Sequence, residues 1–242
     1  MVPQERQLTG RIARDRIRLM AVPRLPDDIV AGFTALGDAT GIVSDTLDEL
    51  GLPGAVAAST FRPTVAGARV VGPALTVRNV IGTRDPVQAA RDHVNGMAEF
   101  EAHNLAQPGD VLVIDGVAGI SNMGGISAQI AKRQGKIGAI VVRDVAHSRE
   151  IGYPVWSTEV TPLTGKWRIE TVEINGVVEI GGVRVAAGDL VLADDTGICF
   201  VPRDHVAAVL RIATRKAAGE AARCGAIARG VPLPELPRTT SA

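Results

Sequence analysis

The sequence predicts a single α/β domain, and three observations carry that prediction. Residues 108–142 run strand, glycine-rich loop, helix, strand, which is the pattern of a βαβ unit. Residues 169–201 alternate short β-branched segments with the turn dipeptides Asn175-Gly176, Gly181-Gly182 and Gly188-Asp189. ATGIVSDTLDEL, residues 39–50, places Ile42, Val43, Leu47 and Leu50 at helical spacing.

Taken in order, residues 1–25 form an arginine-bearing N-terminal arm, mobile or packed on a partner, that ends in the proline-containing AVPRLPDD. The domain is expected over 26–228, opening on a helix that Asp27 or Asp28 could cap. The helix over 39–50 carries Ser44 and Asp45 near its start or on an exposed face, and Gly51 stops it. TVAGARVVGPALTVRNV, residues 64–80, reads as strands turning at Gly72-Pro73, and a mostly helical stretch follows from Asp85 to about Leu105. Residues 111–114 are apolar without alternation, as a strand covered on both faces requires. A loop over 115–125 leads into the amphipathic helix ISAQIAKRQG, and a second buried strand over 138–142 delivers the chain to Arg143 and Asp144. Both loops therefore face the carboxyl end of one parallel pair, where ligands gather in such sheets. Hairpins follow at Asn175-Gly176 and Gly181-Gly182, then a closing helix from Pro202 to about Ala228 with Asp204 as its cap, and a flexible tail over 229–242.

Composition excludes several functions. The chain has 242 residues, 46% hydrophobic and 21% charged, with 26 basic residues against 26 acidic ones. No net field draws it to nucleic acid or to an acidic membrane. Aromatic residues at 3% leave little for stacking on single-stranded bases. There is no apolar run of about 18 residues to span a membrane, and the N-terminus lacks the apolar core of a secretory signal, so a cytoplasmic location is expected. Cys199 and Cys224 form no C-x-x-C pair and read as thiols in a reducing compartment.

Chemistry concentrates at the ends of the βαβ strands. The loop DGVAGISNMGG precedes a helix N-terminus, and its glycines let backbone N–H groups approach a carboxylate or phosphate closely, although they also serve tight turns. It is neither G-x-G-x-x-G nor a P-loop. Arg143 can grip a carboxylate through parallel hydrogen bonds, and Asp144 can hold a hard divalent cation; the plainer alternative is a surface ion pair at a helix start. Asp194 and Asp195, in LADDTG, either position metal-bound water or cap a turn. His147 stands about one helical turn after Asp144 and reads as a ligand, a proton shuttle or an exposed helix residue.

SDTLDELGL, VGPALTV, PGDVLVIDG, RDVAHSREIGYPV, VTPLTGK and VEIGGVRVAAGDLVLADDTGICFVP together resemble the class II pyruvate aldolases typified by 4-hydroxy-4-methyl-2-oxoglutarate aldolase, which share a fold with the regulator of ribonuclease activity A. The resemblance implies an α-β-β-α sandwich assembled as a homotrimer or a dimer of trimers, with sites between subunits. It also implies Mg²⁺ or Mn²⁺ bound beside a 2-oxo acid, and C–C cleavage that leaves a pyruvate enolate. By the same resemblance Asp144 corresponds to the metal-binding Asp and Arg143 to the substrate-binding Arg. Ser121, Asn122, Met123, Gly124 and Gly125 would offer backbone N–H groups to the pyruvyl carboxylate.

The sequence departs from that family at telling places. Gly125 stands where aldolases carry an acid that orients water, and seventeen residues separate it from Arg143, three fewer than in the family. A gap-free match would set Ala146-His147 at the Arg-Asp pair, whereas the seven residues from Asp144 to Gly152 favour Arg143-Asp144. Thr196 occupies the place of a Glu that holds metal-bound water, leaving Asp194 or Asp195 as substitutes, and His147 is the candidate to replace the missing proton-transfer acid. The expected function is thus a divalent-metal-dependent lyase on a 4-hydroxy-2-oxo acid or an oxaloacetate-like acid. The alternatives are a non-catalytic protein-binding regulator and a metal-dependent isomerase or hydratase.

Overall fold

In the computed structural model, which describes residues 7–141 and 147–237, the alternating strands gather into one sheet that curls until its two halves face each other. The strands are β1 (Ala55–Ala57), β2 (Arg62–Pro63), β3 (Val70–Ile81), β4 (Val111–Asp115), β5 (Gly138–Val141), β6 (Val155–Ser157), β7 (Ile169–Ile174), β8 (Val178–Ile180), β9 (Val183–Val185), β10 (Leu190–Ala193) and β11 (Gly197–Val201). The large sheet runs β1-β11-β10-β3-β4-β5-β6-β2, and β7 lies beside the second half of β3. Its concave face buries Val113, Ile140, Trp156, Val191, Ile198 and Phe200 in one cluster, into which the β8–β9 ribbon inserts Val178, Ile180, Val183 and Val185.

Helices cover the convex faces. These are α1 (Asp27–Thr34), α2 (Ala39–Glu49), α3 (Pro86–Arg91), α4 (Glu99–Leu105), α5 (Gly125–Arg133), α6 (His147–Ile151) and α7 (Val206–Ala228). Phe33, Val43, Leu47 and Val209 of α1, α2 and α7 pack on Leu190, Leu192, Cys199 and Val201. On the other half, Ala102, Leu105, Ala128 and Ala131 of α4 and α5 pack on Leu75, Leu112, Ile114 and Val141. Alternate residues of each strand thus enter different clusters, the period-two pattern of a sheet covered on both sides. The result is the expected α-β-β-α layering, with β3 as the strand common to both halves.

The arm lies against this body. Ile12, Ile17 and Val22 are buried in the α4–α5 cluster, and Arg18 N donates to Ile174 O at 3.0 Å. At the other terminus Leu233–Glu235 forms a short 3-10 turn, and Leu236 is buried.

Several turn and cap expectations are corrected. Gly72-Pro73 does not turn the chain but runs straight through β3. A side chain at Gly72 would meet Gly109 O at 2.2 Å, so close backbone approach explains the glycine. Ala74 N donates to Asp189 O on the β10 side, so an N–H at Pro73 would point to the opposite edge, where β4 pairing begins only at Ala74. Asn175-Gly176 does not close a hairpin either, because β7 pairs with β3 while β8 pairs with β9. Asn175 adopts φ 58, its N–H donates to Thr76 O at 2.8 Å, and the turn is docked on β3 instead. Gly181-Gly182, with φ 57 and 82, does form the expected two-residue hairpin turn. Neither Asp27 nor Asp28 caps α1: its N-cap is Pro26, and both acids fall in the first turn, where they complement the helix dipole. Asp204 sits inside a 3-10 turn ahead of α7, whose N-cap is His205. The helical stretch from Asp85 is interrupted after α3, where His93 takes φ 55.

Candidate functional site

β4 and β5 are parallel neighbours with Ile114 opposite Val141, so their carboxyl ends open on one side of the sheet. Asp115 closes β4 opposite Arg78 of β3, and burial raises its carboxyl pKa while Glu179 N, donating at 3.3 Å, and Arg78 pull it back. The chain then enters the glycine-rich loop, whose shape is set by one side chain. Asn122 is fully buried, its Nδ2 donates to Val117 O at 3.0 Å and Ile120 O at 2.9 Å, and its Oδ1 accepts from Val117 N at 3.2 Å. Gly116 leaves the room for this carboxamide, since an added Cβ would lie 2.2 Å from Oδ1.

The carboxamide also ties the loop to the rest of the fold. Asn79 Nδ2 of β3 donates to Asn122 Oδ1 at 3.2 Å, Thr171 Oγ1 of β7 donates to Asn79 Oδ1 at 2.8 Å, and Ala98 N donates to Thr171 Oγ1 at 2.9 Å. All three side chains are buried, so the network holds the loop rigidly rather than facing solvent. Ser121 is pinned from the other side, its N–H donating to Leu163 O at 2.9 Å and its hydroxyl to Met123 O at 2.9 Å. Met123 is a buried plug beneath the loop.

The loop ends at Gly124, the N-cap of α5, and the helix starts at Gly125. An added Cβ at Gly124 would meet no atom of the described residues within 4 Å, so among these residues nothing covers this helix end. The first turn of a helix has amide N–H groups without intrahelical acceptors, and the dipole favours an anion there. Of the residues singled out in the loop, Ser121, Asn122 and Met123 shape it from within, and Gly124 and Gly125 form its open rim. Ser127, in the same first turn, is buried against His103 Nε2 at 2.7 Å, and burial lowers the imidazole pKa to about 3, which leaves it neutral.

Arg143 and Asp144 lie outside the described residues, as does Ala146; the chain resumes at α6, whose first residue is His147. What the fold fixes is their approach: Val141, the last residue of β5, pairs with Ile114 and Ser157 at the same sheet end as the loop. On the far side α6 is anchored by Arg149 Nε donating to Thr64 O at 3.1 Å and by Lys132 Nζ donating to Ile151 O at 2.6 Å.

Asp194 and Asp195 follow β10, whose antiparallel register sets Ala193 opposite Val70, about 26 Å along β3 from Asp115 opposite Arg78 at a rise of roughly 3.3 Å per residue, and Trp156 Nε1 of β6 donates to Asp194 O at 2.9 Å. Asp194 accepts from Thr40 Oγ1 at 2.7 Å and Thr196 N at 2.8 Å, and Asp195 accepts from Gly67 N at 3.0 Å. Both accept hydrogen bonds at turns and a helix end. Among the described residues no group of three or more His, Cys, Asp or Glu is gathered as a metal cage. Cys199 is buried and Cys224 exposed, both free, and burial pushes the Cys199 thiol up to about 12. No described helix is long and apolar enough to cross a membrane.

Asn79, Asp115 and Thr171 were not singled out from the sequence. The signal for Asn79 is a lone carboxamide in a mostly apolar strand, which must find partners once buried.

The family model described as RraA-like: Aldolase/RraA matches residues 40–200. A Halalkalibacterium halodurans protein named "Putative 4-hydroxy-4-methyl-2-oxoglutarate aldolase" is 30% identical over 197 residues, covering 79% of this chain and 86% of that protein. Streptomyces coelicolor RraAS2, described as an unusual member of the RNase ES inhibitor RraA protein family, superposes with a TM-score of 0.66 at 26% identity, over 86% of this chain and 98% of its own. An uncharacterized protein from Pseudomonas syringae pv. tomato reaches a TM-score of 0.71 at 23% identity, over 88% and 98% of the two chains, a likeness of fold alone. With the match running from α2 into β11, the chain belongs to the RraA-like Aldolase/RraA family.

Proposed function

We propose that the chain is a divalent-metal-dependent carbon–carbon lyase that cleaves a 4-hydroxy-2-oxo acid or decarboxylates an oxaloacetate-like acid. The observation that carries this reading is the open, rigidly braced helix end at Gly124-Gly125, set at the carboxyl ends of β4 and β5 where the chain leads into Arg143-Asp144. The substrate carboxylate sits on the first-turn amides of α5 and is gripped by Arg143. Asp144 holds Mg²⁺ or Mn²⁺, hard ions that keep several waters where the protein supplies few carboxylates. When bound, the ion supplies Lewis acidity at the 2-oxo oxygen. Arg143 and the loop fix the acid so that the breaking bond is held still, and His147 takes the role of proton carrier that Gly125 leaves open.

Asp194 or Asp195, from this chain or from a second copy, positions metal-bound water in such a site. The chain assembles as a homotrimer or a dimer of trimers with sites between subunits. The test is pyruvate release from 4-hydroxy-4-methyl-2-oxoglutarate and from oxaloacetate with Mg²⁺, Mn²⁺ or EDTA. Metal-dependent release supports the proposal, and release unaffected by EDTA and by Asp144→Ala sinks it.

The glycine at 125 and the likeness to RraAS2 favour a second reading, a non-catalytic regulator acting through its surface on a protein. No pyruvate from either acid, together with saturable binding to a ribonuclease partner, is its expected result. Deuterium from solvent entering the acid without release of a fragment points to an isomerase or hydratase instead.

A further inference from the structure

We propose that His103 is a positioning residue for the substrate carboxylate: through the Ser127 hydroxyl it holds the first turn of α5 in the orientation that turns its amide N–H groups to one point. This role rests on the reading of that helix end as the seat of the carboxylate. His103 Nε2 lies 2.7 Å from Ser127 Oγ, and both residues are buried, at 2% exposure each. His103 Nδ1 has no hydrogen-bond partner among the described residues, so the Ser127 hydroxyl is the ring's sole partner there. A leucine would fill the same space without leaving a buried nitrogen unpaired. What the imidazole adds over packing is therefore its bond to Ser127.

The first turn has little else to hold it. Its N-cap Gly124 offers no side-chain acceptor, it opens on Gly125, a poor helix former, and Ile126 is 65% exposed. Ser127 and Ala128 are the first buried residues of the helix, and Ala128 brings only a methyl group. Released from the ring, the Ser127 hydroxyl competes for Gly124 O, three residues back, which in the structure accepts from Ala128 N at 3.0 Å. Such back-bonding bends the turn and shifts the amides of Gly125, Ile126 and Ser127 on which the carboxylate sits. The histidine itself is firmly seated. Its helix α4 has Ala98 as N-cap, whose N–H donates to Thr171 Oγ1 at 2.9 Å in the network that braces the loop through Asn79 and Asn122. Also on α4, Glu101 Oε2 accepts from Thr9 N of the arm at 2.7 Å. α4 thus supports the site at two points, the loop through Thr171 and the helix end through His103.

The test is calorimetric titration of the full chain with oxalate in the presence of Mn²⁺, together with steady-state pyruvate release from oxaloacetate. His103→Leu should weaken oxalate binding and raise KM about five- to tenfold, while kcat stays within about twofold. Ser127→Ala, which removes the same bond without leaving a hydroxyl to bond back, should weaken oxalate about threefold, and His103→Leu should add nothing further in that background. His103→Gln, whose amide reaches Ser127 Oγ as Nε2 does, should stay within about twofold of wild type. Melting temperatures set the assays below unfolding, and Ser127→Ala against His103→Gln gives the comparison if His103→Leu does not fold. A merely structural histidine lowers the melting temperature and leaves oxalate affinity and KM where they are. That result overturns the proposal while the lyase reading stands, as do a loss in His103→Gln equal to that in His103→Leu and losses that multiply in the double variant. A wild type that neither binds oxalate nor releases pyruvate overturns the lyase reading, and this role with it.

Discussion

Gly116 and Asn122 make a coupled pair whose energetics follow from the structure. Alanine at 116 places a Cβ 2.2 Å from Asn122 Oδ1 and 2.4 Å from its Cγ, so the carboxamide must shift within a buried network, an overpacking cost of about 1–3 kcal/mol. Alanine at 122 removes hydrogen bonds to Val117 O, Ile120 O, Val117 N and Asn79 Nδ2. At about 1 kcal/mol net for each, with water recovering part of the loss in the half-buried loop, it costs about 3 kcal/mol. For a chain of this size that lowers the melting temperature by roughly 6–12 °C. In the double variant, Gly116→Ala no longer meets a carboxamide and adds almost nothing, so it melts within about 2 °C of Asn122→Ala. Thermal denaturation of the four proteins by circular dichroism measures the coupling. Additive losses, or a Gly116→Ala variant as stable as the wild type, would refute the claim that this side chain shapes the loop.

Other consequences follow from named groups. His103, whose pKa is lowered to about 3 by burial, is neutral when folded, but takes a proton below about pH 6.5 when unfolded. Its contribution is therefore complete above pH 6.5 and lost as pH falls toward 3; between pH 6.5 and 4.5 the loss is about 2.5 kcal/mol. Asp110, Asp115, Asp189 and Glu99, all raised by burial, act in the opposite sense by taking up protons more readily when folded. The difference between wild type and His103→Gln isolates the histidine, and urea titrations should show it moving in favour of the variant by that amount on acidification; a constant difference contradicts the assignment. Thr171→Val removes the donor to Asn79 Oδ1 and the acceptor for Ala98 N, and should cost about 2 kcal/mol in the same urea titration. Arg143→Lys keeps the charge but loses the planar fork, so kcat/KM for pyruvate release should fall about tenfold or more, mostly through KM.

Much of the fold was legible because it is encoded locally. The helical period of residues 39–50, the unbroken apolar strands of the βαβ unit and the paired glycines at 181–182 each specify their element from neighbouring residues. The errors came where a distant group decides. Gly72 reads as a turn residue until Gly109 O is seen against it, and Asn175-Gly176 reads as a hairpin until its partner proves to be Thr76. The same distinction divides the site. The glycine-rich loop and its helix are contiguous in sequence, whereas the network bracing them joins Asn79 to Asn122 across 43 positions and to Thr171 across 92. The acids of LADDTG read by type as holders of metal-bound water or as turn caps, and only the fold supplies the partners they have in this chain, Thr40 Oγ1 and Gly67 N.

The most direct measurement is a crystal soaked with Mn²⁺ and oxalate, with anomalous density locating the ion. The account predicts Mn²⁺ on the Asp144 carboxylate and oxalate bridging it to Arg143 and the first-turn amides at Gly124-Gly125. Oxalate absent from that helix end, or Mn²⁺ bound without Asp144, would contradict it.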